Sequence, residues 1–110
     1  MVYKYLLDIT AFILLFLIYL FILSGYGLIN PRIVERYSLG LINYRVAVAL
    51  HLNPILRLAL IISSSIHGLT GFTLLSHRIR NRIYRKTTIV FIHVLFTSMT
   101  IYFLLLELLT

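Results

Sequence analysis

Three stretches of this chain are almost free of ionisable groups: Ile9–Ile29 has none, Leu58–Ser76 carries only His67, and Thr87–Leu106 carries only His93. Each is close to the roughly 20 residues that a helix needs to cross the apolar part of a bilayer. A lone span must be helical, because in lipid only a helix satisfies its own backbone. Composition points the same way. At 61% hydrophobic residues and a mean hydropathy of +1.01, 110 residues have too little polar surface to cover a soluble globule. The expected fold is all-α and integral to the membrane, a single domain over residues 1–110. Its spans lie at about 6–29, 54–78 and 87–108, with an apolar, partly helical outer segment over about 30–53. The first run is too long for a signal-peptide core and is read as a retained span.

Charge orients the spans. Arg78, Arg80, Arg82, Arg85 and Lys86 crowd the turn between the second and third runs. The positive-inside rule makes that turn and the N-terminus cytoplasmic and puts the C-terminus outside, in a plasma membrane. The net charge of +7 therefore implies contact between lipid headgroups and residues 78–86 rather than nucleic acid. With no cysteine in the chain, disulfides, iron–sulfur ligation and thiolate zinc sites are excluded.

The outer segment is apolar over Leu39–His51 but too short for a fourth span. Asn53-Pro54 reads either as a helix start, with an N-cap side chain before proline in the first turn, or as a kink. A helix running from near Asn43 to Arg78 would be roughly 50 Å long, against a hydrocarbon core of about 30 Å.

Spans two and three form a hairpin. Matching their cytoplasmic ends places residues at equal depth when their numbers sum to about 164, because both helices rise equally per residue. Arg57 then meets Glu107 and is expected to pair with it, since a lone carboxylate at that depth is costly. His93 falls level with Gly71, and His67 lies one turn farther from the cytoplasm.

Ionisable residues inside spans are expensive and commonly functional. His67 and His93 are the residue type that a b-type haem takes as axial ligands, and His51 near the outer interface is a third candidate. The plain alternative for each is an imidazole hydrogen-bonded to a neighbouring helix. His77 abuts the basic turn and is expected to contact headgroups. Gly68 and Gly71 remove bulk beside His67, which either lets helices approach or leaves room for a flat macrocycle. Ser63, Ser64, Ser65, Thr70, Thr73, Thr97, Ser98 and Thr100 are small hydroxyl residues of the kind found where helices meet in lipid.

Leu23-Ser24-Gly25, Pro31, Gly40-Leu41, Leu50-His51-Leu52-Asn53 and Ile66-His67 resemble the cytochrome-b-like integral membrane proteins, which include relatives of the gamma subunits of formate dehydrogenase and the cytochrome subunits of hydrogenases. The stretch covers residues 23–75, about half the chain. His67-Gly68 also resembles the membrane anchor of succinate dehydrogenase. These resemblances imply haem b with His51 and His67 as candidate ligands, a quinone as a further ligand, and electron transfer between a redox partner and the quinone pool. One feature departs from the pattern. On a regular helix His51 and His67 would be turned by about 160° from each other, and three spans fall short of a four-helix cage, so a homodimer or other membrane subunits would complete it.

The competing expectation is a cofactor-free accessory subunit that stabilises a larger membrane complex. A channel or transporter lacks support, since no span carries a buried carboxylate pair. No nucleophile elbow or phosphate-binding glycine loop is present. Any catalytic role would be that of an electron-transfer subunit.

Overall fold

Every asparagine in the sequence stands immediately before a helix. In the computed structural model, which describes residues 2–110, the helices are α1 (Val2–Ile29), α2 (Pro31–Tyr37), α3 (Tyr44–His51), α4 (Pro54–Ser76) and α5 (Arg82–Leu109), with no strand among the described residues. Asn43 Oδ1 accepts from the Val46 amide at 2.9 Å. Asn53 Oδ1 accepts from Ile55 and Leu56, and Asn81 Oδ1 from Ile83 and Tyr84. Such side chains satisfy amides that the helix itself leaves orphaned. Before α2, Asn30 makes no such bond and Pro31 opens the helix instead, a position where its missing N–H costs nothing.

Three of the helices, α1, α4 and α5, are long and apolar enough to cross a membrane. The Asn53-Pro54 pair begins a new helix: α3 ends at His51, and the Leu52 amide turns back to Val48 O at 3.0 Å. The phase argument for a single regular helix through His51 and His67 therefore does not apply. α5 begins at Arg82, about a turn before the sequence expectation of 87. Asn81 supplies the cap, and the long stems of Arg82, Arg85 and Lys86 let cationic heads reach outward from an apolar helix.

Large apolar side chains face outward and small polar ones face inward. The buried residues are Gly27, Leu17, Val34, Ala47 and Ile92 with Thr10, Ser24, Ser63, Thr70, Thr73 and Ser76. Phe12, Phe16, Tyr19, Phe91 and Val94 are exposed. In water this would be inverted. In lipid there is no hydrophobic drive between helices, and small residues that let backbones approach supply the packing instead. The hydroxyls tolerate this because they bond within their own helices: Thr70 donates to Ile66 O at 2.7 Å, Thr73 to Leu69 O at 2.6 Å and Ser76 to Phe72 O at 2.7 Å.

Along α1, Leu7, Thr10, Leu14, Leu17, Phe21, Ser24 and Leu28 recur at steps of three and four, and none of them is exposed. This is the heptad seam of a helix that packs knobs into holes.

The fold divides into two compact units. One comprises the residues up to Leu14 together with Ile61–Thr110, and the other is Leu15–Leu60. Within the first, the Thr100 hydroxyl of α5 donates to Ser65 Oγ of α4 at 2.6 Å, and Ser65 donates on to Ile61 O. Phe96 lies over Gly68. Both contacts obey the hairpin register in which residue numbers sum to about 164. Within the second, Gly27 of α1 lies against Ala47 of α3.

α2 ends in a Schellman motif, with Gly40 N donating to Glu35 O at 2.8 Å and Leu39 N to Arg36 O at 3.3 Å. Leu39 occupies the left-handed position, φ 57°, which a Cβ disfavours by roughly 1–2 kcal/mol. Its side chain is 90% exposed. Leu39→Gly is expected to raise thermal stability in detergent, by about 1 kcal/mol. An unchanged or lower melting temperature would mean that the leucine side chain contributes as much as the turn loses.

Candidate functional site

Two imidazoles are held by hydroxyls of the α1 seam. In the first unit, His67 Nδ1 on α4 lies 3.0 Å from Thr10 Oγ1 and 3.2 Å from Leu7 O on α1. Thr10 already donates its own proton to Leu6 O at 2.6 Å, so toward His67 it accepts. Leu7 O, a carbonyl, can only accept. Both partners therefore require a proton on Nδ1, which makes neutral His67 the Nδ1–H tautomer with its lone pair on Nε2.

The second unit repeats the arrangement. His51 Nδ1, at the end of α3, lies 3.1 Å from Ser24 Oγ, and Ser24 donates to Phe21 O at 3.0 Å. With the Ser24 proton on Phe21 O, the hydroxyl accepts from His51 Nδ1–H; turned to the ring, it donates to Nδ1 instead. Phe21 packs its ring 5.7 Å from the imidazole, tilted by 60°. A Cβ built on Gly25 would stand 3.4 Å from His51 Cε1. Ser24 therefore holds the ring, while the neighbouring Gly25 stands in ordinary contact distance of it.

His93 is treated differently. Its Nδ1 lies 2.8 Å from Ile89 O, one turn back on its own helix α5, and the carbonyl again fixes Nδ1–H. His77 is exposed in the turn after α4.

The three imidazoles share one consequence. Among the described residues, no group hydrogen-bonds to Nε2 of His51, His67 or His93, and no buried side-chain nitrogen or oxygen lacks a partner. Each Nε2 therefore reaches the molecular surface without a protein partner, and in neutral His67 and His93 it carries the lone pair. Nε2 is an atom with which neutral histidine ligates a metal while its other nitrogen is bonded to a carbonyl or hydroxyl oxygen. No protein-family model, curated protein or solved structure matches this chain. The functional reading therefore stands on the site itself.

The surroundings of His67 form a shallow apolar groove of about 250 Å³, lined by His67, Gly68, Gly71, Phe72 and Leu75. Its glycines also serve helix packing. A Cβ on Gly68 would clash with the Phe96 ring of α5, and one on Gly71 would stand 3.3 Å from Leu7 Cδ1 of α1. Phe72 completes the wall, its ring 5.7 Å from that of Phe96. Any flat ligand at His67 would therefore lie along the outer face of this groove, because the inner side of Gly68 is filled by Phe96.

No group of three or more His, Asp or Glu side chains converges among the described residues. The donor set thus does not resemble a multidentate site for a bare divalent cation. It does fit a metal that arrives with four ligands of its own and needs only axial imidazoles. Arg57 donates to Leu52 O at 2.7 Å, closing the turn between α3 and α4. Thr10 is absent from the sequence-based expectations, and Ser24 enters them only through the resemblance. The seven-residue spacing of Thr10, Leu17 and Ser24 is the signal that marks them.

Proposed function

We propose that this protein is a small haem b-bearing membrane subunit of an oxidoreductase complex, passing electrons between a redox partner and the quinone pool. The observation that carries this reading is the common placement of His51, His67 and His93, each Nδ1 against a carbonyl or hydroxyl oxygen and each Nε2 without a protein hydrogen-bond partner. In this reading His67 and His51 would hold the haem iron, with His93 as the third candidate. Haem, once bound, supplies one-electron redox chemistry. The chain's own part is to present Nε2 in a fixed orientation, to keep the proton on Nδ1, and to exclude water with apolar side chains such as Phe72 and Leu75.

Because each Nε2 opens outward, the opposite face of a bound haem would be covered by a second copy or another membrane subunit. The basic turn 78–86 and the N-terminus lie in the cytoplasm and the C-terminus outside, in a plasma membrane, as charge asymmetry directs.

A second reading, a cofactor-free subunit that stabilises a larger complex, is favoured by one observation: Phe96 and Leu7 occupy the space that the two glycines leave on the inner side of α4. One experiment separates the two. A dithionite-reduced minus oxidised spectrum of the complex purified from its native membrane is expected to show b-type bands that diminish in His67→Ala and in His51→Ala. Complete absence of those bands would overturn the haem assignment and leave the scaffold. Bands that persist at full strength in both variants would remove His67 and His51 as ligands.

A further inference from the structure

Half of the chain's ten Lys and Arg residues stand in one turn, Arg78, Arg80, Arg82, Arg85 and Lys86, while its acidic residues are Asp8, Glu35 and Glu107, all elsewhere in the sequence. Among the described residues none of these five cations makes an ion pair. Arg78, Arg80, Arg82 and Lys86 are exposed and Arg85 is half-buried.

Three of the five lie in the first turns of α5, which carries no acid in its first turn. That end of a helix is the positive pole of its dipole, where anions are favoured and cations are not. Cation–cation repulsion and the dipole therefore act in the same unfavourable direction, and nothing within the turn offsets them. An external anion would relieve both.

The side chains between the cations decide what kind of anion. Ile83 is 74% exposed and Tyr84 is 67% exposed, so apolar and aromatic surface alternates with charge along the start of α5. A water-soluble polyanion would leave that surface wet. An amphiphile with a phosphate head and acyl tails covers both, its phosphate on the guanidinium forks and its upper chains on Ile83 and the Tyr84 ring.

We infer that the α4–α5 turn is a selective binding surface for anionic phospholipid, with Arg78, Arg80 and Arg82 meeting the phosphate and Ile83 and Tyr84 meeting the acyl boundary. This goes beyond the haem reading and does not depend on it. Arginine rather than lysine at four of the five positions suits bidentate phosphate recognition.

The test uses the full chain in nanodiscs of phosphatidylcholine with a minority of phosphatidylglycerol, with retained lipid counted by native mass spectrometry after release from the disc. Phosphatidylglycerol is expected to be enriched over its bulk share by roughly fivefold, the scale that one basic residue near a surface supplies. Arg78→Gln/Arg80→Gln/Arg82→Gln should return it to the bulk ratio. The charge-preserving Arg78→Lys/Arg80→Lys/Arg82→Lys, which keeps the topology signal, should give an intermediate enrichment.

Equal retention of the two lipids overturns the proposal, as does enrichment that survives the glutamine variant. Loss of the lipid on addition of millimolar inorganic phosphate would also overturn it, because it would define a general anion site. Reduced retention in Ile83→Ser/Tyr84→Ser with the arginines intact supports the amphiphilic assignment.

Discussion

Gly27→Ala is expected to destabilise this protein by about 1–3 kcal/mol, the range for overpacking a closed contact, although the same exchange in an ordinary helix interior stabilises by up to about 1 kcal/mol. The sign is decided by space. A Cβ on Gly27 would stand 2.6 Å from Cβ of Ala47, and Ala47 is fully buried on α3. A Cβ cannot swing aside as a side-chain tip can, so α1 and α3 would have to separate along with Val34 and Ile42, which also line the position.

Gly25 provides the contrast on the same helix. Its added methyl would meet His51 Cε1 at 3.4 Å, ordinary contact, so Gly25→Ala should be neutral or slightly stabilising. The paired exchange Gly27→Ala/Ala47→Gly should recover much of the loss, since it returns one methyl to the contact from the opposite side. Melting temperatures of the purified variants in one detergent decide the matter. A Gly27→Ala protein as stable as the parent would show that α1 and α3 do not approach this closely.

The spans were legible in the sequence because charge is costly in lipid and its absence is easily seen: Ile9–Ile29 could be nothing but a helix. The hairpin register was legible as well, since two helices of equal rise joined by a short turn have little freedom, and Gly68 over Phe96 and Ser65 against Thr100 lie on it. The packing face of α1 was harder to read. A span that is apolar all round offers no contrast between the side facing lipid and the side facing protein, and its seam is marked only by the small residues Thr10 and Ser24.

Histidines 51, 67 and 93 stood out in the sequence as ionisable groups among apolar ones. The partners of their Nδ1 atoms did not, because the fold decides what each nitrogen touches. Those partners come from other elements for His67 and His51, from Leu7 and Thr10 in one case and Ser24 in the other. For His93 the partner is the carbonyl of Ile89 on the same helix. The outer segment was legible as partly helical, but the bounds of α2 and α3 were not, although Asn30-Pro31 and Asn43 mark their starts by the same chemistry that made Asn53-Pro54 readable.

Ser24→Ala should cost about 1–3 kcal/mol, the penalty for leaving a partly buried ring nitrogen without its hydrogen-bond partner. Ser24 is itself fully buried and is the partner that the structure provides for His51 Nδ1. The double variant Ser24→Ala/His51→Phe removes both partners together and places an apolar ring where the imidazole packs against Phe21. It should therefore cost less than the two single changes added, with a coupling of about 0.5–3 kcal/mol for residues in direct contact. The same cycle carries a second readout. If His51 ligates a metal through Nε2, Ser24→Ala frees the ring to rotate and to change tautomer, and metal or haem affinity falls by roughly 10- to 100-fold, as when a ligand histidine loses the partner of its other nitrogen. Ser24→Thr, which keeps the hydroxyl, should restore most of that affinity. An imidazole that only fastens α3 to α1 would show the stability coupling with cofactor content unchanged. A ligand imidazole would show both, and a cycle without coupling would mean that Ser24 and His51 are not bonded.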